Sequence, residues 1–142
     1  MRVRDIMTTK GSDVVHTISP EASVRELLDL LAEHDIGALV VSTDGDRLAG
    51  IVSERDVVRK LRGVPDPNAA TVATIMTAEV ITCGPDDSAG SLMAIMTQRR
   101  VRHVPVVDDG HLVGILSVGD AVKHRMDQLE FERDQLTSYL QS

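Results

Sequence analysis

The sequence predicts a mixed α/β (α+β) protein made of one small unit used twice, and three observations carry that expectation. First, Gly50-Ile51-Val52-Ser53-Glu54-Arg55-Asp56 and Gly114-Ile115-Leu116-Ser117-Val118-Gly119-Asp120 share the pattern G-[IL]-x-S-x-x-D, 64 positions apart. Second, the match spreads outward: Ile6-Met7-Thr8 answers to Ile75-Met76-Thr77 at a shift of 69, and Pro20-Glu21-Ala22-Ser23 to Pro85-Asp86-Asp87-Ser88 and Ile36 to Val101 at a shift of 65. Third, both copies show the same succession of a short β-type run, an amphipathic helix, a hairpin and a second helix.

The first copy begins with residues 1–8, where Val3, Ile6 and Met7 promise no more than a short turn of helix. Val14-Val15-His16-Thr17 is a β-type run stopped by Ser19-Pro20, because proline holds its predecessor extended and cannot continue a ladder. Ser23 then starts a helix, and Glu26 three residues on completes a capping-box pattern. Val24, Leu27, Leu28 and Leu31 give it one apolar face. The helix ends near His34-Asp35, and Gly37 releases the chain into a strand over 38–42. A turn at Thr43-Asp44-Gly45-Asp46 returns it over 48–52, so the two strands form a hairpin. A second helix spans 53–61, with Val57, Val58 and Leu61 on its inner side.

Gly63-Val64-Pro65-Asp66-Pro67-Asn68 is a linker, since two prolines and a glycine in six residues sustain neither helix nor strand. The units expected are 1–62 and 71–127, joined by 63–70 and followed by a helical tail at 128–142. In the second unit, Val80-Ile81-Thr82 is the strand, 88–99 the helix, and 103–107 with 112–116 the hairpin. The final helix starts near Val118 and outruns its counterpart, because neither proline nor glycine follows Gly119. Along it Val122, Met126, Leu129, Leu136 and Leu140 fall at d, a, d, d and a of a heptad, with Arg133 at the remaining a. That pattern fits either an amphipathic helix lying on its own domain or a seam between chains.

Composition narrows the function. The formal charge is −7, from 15 basic and 22 acidic residues, with no basic run longer than two. Nucleic-acid binding by phosphate neutralisation is therefore not expected. A single cysteine, Cys83, excludes an internal disulfide framework and a four-cysteine zinc site. No signal-like N-terminus and no apolar run of about 18 residues is found, so a cytoplasmic protein with no membrane partner is expected. Phe131 and Tyr139, the only aromatics, lie in the tail, and the core must be aliphatic. Apolar helix faces (Leu27, Leu31, Val57 and Leu61 in one copy; Leu92, Met96 and Val122 in the other) are expected to leave surface for a second chain, giving a homodimer.

No nucleotide-binding glycine loop, H-E-x-x-H or C-x-x-C is present, and the five histidines show no i+3 or i+4 pairing. No catalytic or metal-binding residues are assigned, and the protein is read as not an enzyme. Asp86-Asp87 and Asp108-Asp109 fall in predicted turns, where solvation accounts for them. The repeated G-x-x-S-x-x-D element has two readings. Ser53 with Asp56 and Ser117 with Asp120 serve as helix caps. Alternatively, each carboxylate accepts the hydroxyls of a ribose diol while the serine and the helix N–H groups face a phosphate. The second is favoured because Asp is short for a reciprocal cap, because a glycine leaves the strand end open to an approaching molecule, and because the whole device is repeated.

These motifs resemble the paired CBS (cystathionine-β-synthase-type) domains. The resemblance rests on Asp5-Ile6-Met7-Thr8, Thr17-Ile18-Ser19-Pro20, Ser23 and residues 50–56, then Ile75-Met76-Thr77, Thr82, Pro85, Ser88, residues 102–108 and residues 114–120, and it covers 3–125. It implies two β-α-β-β-α units stacked through their sheets with pseudo-twofold symmetry, as a stand-alone pair. It further implies two clefts for adenosine compounds (AMP, ADP, ATP, NAD or S-adenosylmethionine), a disc-like homodimer packed through helices, and signalling to a regulated protein. Carried over, Asp56 and Asp120 hold ribose, with Ser53 and Ser117 at ribose or phosphate. Thr17, Ile18, Thr82, Cys83 and Pro105 line the base pocket. Arg102 and His103 supply phosphate contacts to the second copy's cleft, where the first copy has only Gly37-Ala38. A dimeric scaffold with vestigial clefts is the alternative reading.

Overall fold

A computed structural model describes residues 1–10 and 14–141. The chain runs α1 (Val3–Lys10), β1 (Thr17–Ile18), α2 (Val24–His34), β2 (Ala38–Val41), β3 (Gly50–Ser53), α3 (Glu54–Lys60), a single 3₁₀ turn (Pro67–Ala69), α4 (Val72–Ile75), α5 (Ala89–Arg99), β4 (His103–Asp108), β5 (His111–Ser117) and α6 (Val118–Gln141). In the first sheet β1 lies parallel to β2 and β2 antiparallel to β3; in the second, β4 and β5 form a hairpin. A parallel bridge from Cys83 to Val106 marks the place of the missing third strand.

The helices stop where their ends are chemically sealed. Ser23 Oγ accepts the Glu26 N–H at 3.1 Å, and Asp35, left-handed at φ 51°, closes α2. Ser88 caps α5 in the same way, and left-handed Arg100 ends it. Proline at the first position of the 3₁₀ turn costs nothing, because that N–H has no partner in a helix.

Two aliphatic cores form, and each takes a helix from the other half of the chain. Val24, Leu27, Leu31, Leu39, Val41 and Val52 pack with Val72 and Ile75 of α4. Leu92, Met96, Val104, Val106 and Leu116 pack with Val3 and Ile6 of α1. Matching backbone bonds seat the two exchanged helices. Val3 N donates to Asp87 O, Arg4 N to Pro85 O, and Ala89 N to Met1 O; Val72 N donates to Ala22 O, Ala73 N to Pro20 O, and Val24 N to Ala70 O. These pairs are related by the 69- and 65-residue shifts of the repeat, which is the pseudo-twofold symmetry seen in the backbone. All four residues of β2 are buried, so it needs cover on both faces, as sheet-to-sheet stacking supplies.

Several expectations change. The N-terminal stretch is two full turns of helix, not one, because burying Val3 and Ile6 in the second core supports it. The strand expected at 14–17 shrinks to Thr17–Ile18, and 80–82 is irregular up to the bridge at Cys83. Val58 is 72% exposed; it lies about 100° around the helix from Val57, which packs on the first core together with Leu61. Leu27, Leu31, Leu92 and Met96, expected to remain for a second chain, are consumed by the cores. Leu28, Val58 and Val122 are the exposed members of those faces.

The motif glycines also behave differently from expectation. A Cβ on Gly50 would lie 2.8 Å from Thr77 O and 2.9 Å from Met76 Sδ, and one on Gly114 2.9 Å from Met7 Cε. The space they leave is filled by the repeated Ile-Met-Thr segment of the same chain, not by a ligand.

Candidate functional site

Each motif places its serine at a strand end and its aspartate in the first turn of a helix. Asp56 Oδ2 accepts the Ser53 N–H at 2.9 Å and the Ser53 hydroxyl at 3.2 Å, while Asp56 N approaches Ser53 Oγ at 3.4 Å. Asp120 Oδ2 accepts the Ser117 N–H at 2.8 Å, and Ser117 Oγ accepts the Asp120 N–H at 3.1 Å. Aspartate therefore makes the reciprocal cap in both copies, against the expectation that it is too short. With the serine in an extended conformation, the carboxylate needs only to span one turn.

Both carboxylates also hold a lysine. Lys60 Nζ lies 3.1 Å from Asp56 Oδ1 and donates to Ile75 O; Lys10 Nζ lies 3.2 Å from Asp120 Oδ2 and donates to Ile115 O. Burial pushes the Asp120 carboxyl up, but the bonds from Ser117 and the Lys10 ammonium outweigh it, and the group sits below the usual carboxylate value. A depressed folded pKa gives stability that is present above the unfolded value of about 3.9 and is lost as pH falls through the folded one. Lys10→Met should accordingly move the Asp120 midpoint upward in a carboxyl NMR titration. An unmoved midpoint would assign the depression to the Ser117 cap alone.

A cleft of about 560 Å³ opens beside Asp56. Ser53, Glu54, Arg55 and Asp56 form one wall with Gly37 and Ala38, Thr77, Glu79, Val80 and Ile81 form a second, and residues 100–103 form the third. The segment following α4 reaches this place because Ile51 and Thr77 exchange backbone bonds of 3.0 and 2.8 Å. Arg55, Arg100 and Arg102 line the cleft together with the acidic Glu54, Asp56 and Glu79, and Arg55 Nη1 lies 3.4 Å from Arg100 O. His103 stands against Gly37, whose Cβ would lie 3.5 Å from its ring. Burial and the neighbouring Arg102 push its pKa down, with Asp120 and Glu54 pulling the other way.

Arg102 and His103 line the cleft beside Asp56, and His103, paired in register with Ser117, also lies within electrostatic reach of Asp120. The cations that the first copy lacks at Gly37-Ala38 come from the second copy. The base-pocket expectations are not gathered here. Ile18 and Cys83 are buried in the two cores, and burial, with Asp87, raises the Cys83 thiol to about 11. Pro105 is buried within β4, Thr17 pairs with Val40, and Thr82 is exposed. The apolar wall of the cleft comes instead from Val80, Ile81 and Val101. The repeated Ile-Met-Thr triplet was the sequence signal for Thr77; nothing in the sequence singled out Arg100 or Glu79.

Among the described residues, no three of His, Cys, Asp and Glu group as metal ligands, and no helix is long and apolar enough to cross a membrane. His16 and His34, 18 positions apart, do stack, with centroids 3.7 Å apart.

Comparison with known proteins accords with this architecture. The CBS domain model matches residues 3–63 and 72–127. The mitochondrial CBS domain-containing protein CBSX3 of Arabidopsis thaliana is 33% identical over 147 residues, covering 98% of this chain and 71% of that protein. The CBS domain pair of protein MJ0100, solved with 5′-methylthioadenosine and S-adenosyl-L-methionine, superposes with a TM-score of 0.78 at 28% identity, covering 90% of this chain and 98% of that one. CBSX2, solved with AMP, superposes with a TM-score of 0.72 at 26% identity, over 82% and 91%. With two matched copies of the domain, exchanged helices and a cleft between the repeats, the chain belongs to the CBS domain family as a tandem pair.

Proposed function

We propose that the chain is a non-catalytic regulatory module that binds an adenosine nucleotide in the cleft beside Asp56 and passes its state to a partner protein. One observation carries this: a carboxylate at a helix start, an apolar wall and three arginines converge from both repeats on one cleft of nucleotide size. Asp56 accepts the ribose diol, with the Lys60 ammonium, which also bonds Ile75 O, giving way to it. The base rests between Val80, Ile81 and Val101, and the guanidinium groups meet the phosphate. Relatives crystallised with AMP and with S-adenosylmethionine support an adenosine ligand; the arginines favour the anionic nucleotides (AMP, ADP, ATP or NAD) over the sulfonium compound. Catalysis is not part of the reading, because the Ser53 hydroxyl is committed to Asp56 and not to an imidazole.

The module works in the cytoplasm as a homodimer joined through its helices. Ligand shifts the arrangement of the two repeats only by its difference in affinity between arrangements. Melting the protein with AMP, ADP, ATP, NAD, NADH and S-adenosylmethionine tests this. A true ligand at 100 times its dissociation constant should add about 2.7 kcal/mol to stability. If none of the six moves the melting temperature, the clefts are vestigial and the protein is an interaction scaffold, a reading that the exposed apolar face of α6 would then carry.

A further inference from the structure

We infer that His103 gains a proton when a nucleotide phosphate enters the cleft, so that this residue selects phosphate-bearing ligands and ties their binding to pH. The inference rests on the nucleotide reading of the cleft and adds to it a proton drawn from solvent. His103 opens β4 opposite Ser117 of β5 and lines the cleft with Arg55, Arg100 and Arg102. Gly37 makes room for it. A Cβ there would lie 3.5 Å from His103 Cε1, 3.8 Å from its Nε2 and 3.7 Å from Glu54 Oε2, so the imidazole edge and that carboxylate border the same bare α-carbon. At the matching position, 65 residues back, the first copy has Ala38, which cannot titrate. Among the described residues neither ring nitrogen of His103 has a hydrogen-bond partner. One nitrogen is therefore available to take a proton and then donate it in a bond to a phosphate oxygen.

The charges around the ring fix the sign. Burial and the adjacent Arg102 disfavour the imidazolium, as does Lys10 on α1, while Asp120 on α6 and Glu54 on α3 favour it. Burial and Arg102 prevail, which keeps the ring below its ordinary value of 6.5 and mostly neutral at pH 7. Arg55, Arg100, Asp56 and Glu79 complete the charged lining of the cleft. A phosphate dianion bound among these groups offsets the arginines and places an opposite charge within about 4–6 Å of the ring, which favours the charged form. Whatever factor the phosphate adds to the ring's proton affinity, the proton returns to the phosphate's affinity. Binding of a phosphate-bearing nucleotide therefore weakens as pH rises between the free and bound midpoints of His103. Adenosine brings no charge and shows no such dependence.

An imidazole NMR titration of the full chain, with His103 assigned through its backbone, reads the proton without any substitution. Saturating AMP should raise the His103 midpoint by about one to two pH units, a 10- to 100-fold gain in proton affinity. Adenosine should leave it in place. Calorimetry supplies the second measurement. The ratio of wild-type to His103→Gln affinity for AMP should fall at least about threefold from pH 6 to pH 8. Taking the ratio cancels the phosphate's own ionisation, whose second pKa is near 6 in a phosphomonoester. A midpoint unmoved by AMP, an equal rise with adenosine, or a ratio flat with pH would each overturn the inference while leaving the cleft its nucleotide. Should AMP, ADP and ATP all fail to bind at pH 6, the nucleotide reading and this inference fall together.

Discussion

Asp56→Asn should lower the affinity for AMP roughly 10- to 150-fold, the range that follows from losing a charge-assisted bond of about 1.5–3 kcal/mol at 1.4 kcal/mol per decade. Asparagine presents an NH₂ where the ribose needs an acceptor, and it loses the charge that strengthens the bond. The same substitution leaves most of the helix start in place, because an amide oxygen at this third helical position still accepts the Ser53 N–H. Binding and stability therefore separate: calorimetric titration with AMP should show the loss while the melting curve moves little. Asp120→Asn is the internal control. Its caps are the same and its lysine partner comparable, but Arg55, Arg100, Arg102 and His103 gather at the Asp56 cleft. A larger loss at Asp120 would reverse the assignment of the cleft. Wild-type affinity in both variants would reduce the motif to a cap and place AMP elsewhere, and no AMP binding by the wild type would remove the nucleotide reading.

That prediction differs from what the sequence supports, and the reason is physical. Periodicity and turn chemistry are local, so α2, α5, the two hairpins and the long α6 were legible from residue spacing. The repeat itself was legible because two copies of one unit keep the same residues at nearly constant shifts. What spacing does not carry is which copy a segment packs on. Chain order puts Val3 and Ile6 with the first copy; burial places them in the core of the second. Nor does spacing within one copy record that Arg102 and His103 of the second line the cleft beside Asp56 of the first. At 80–82 the β-type residues have no bridge before Cys83, so a strand-like composition yields irregular chain. The reach of an aspartate cap depends on the extended conformation of the preceding serine, which no spacing records.

Gly50→Ala should cost about 2–4 kcal/mol, whereas Gly114→Ala should cost less than about 1, summing overpacking and weakened hydrogen bonds at their usual magnitudes. Neither glycine serves a left-handed turn; both are needed for space. At Gly114 the new methyl is crowded by Met7 Cε, the far end of a flexible thioether, which can swing aside, and meets Val106 only at an ordinary 3.8 Å. At Gly50 it meets Met76 Sδ and, closer still, the Thr77 carbonyl. That carbonyl accepts from Ile51 N at 3.0 Å while Thr77 N donates to Ile51 O at 2.8 Å. It cannot retreat without loosening both bonds of the bridge that joins β3 to the second repeat. Because Thr77 also walls the cleft, Gly50→Ala should weaken AMP binding as well, and Gly114→Ala should not. Urea denaturation of the two variants measures the difference. Equal losses would show that the methionine contact, common to both sites, sets the cost and that the Thr77 backbone yields freely.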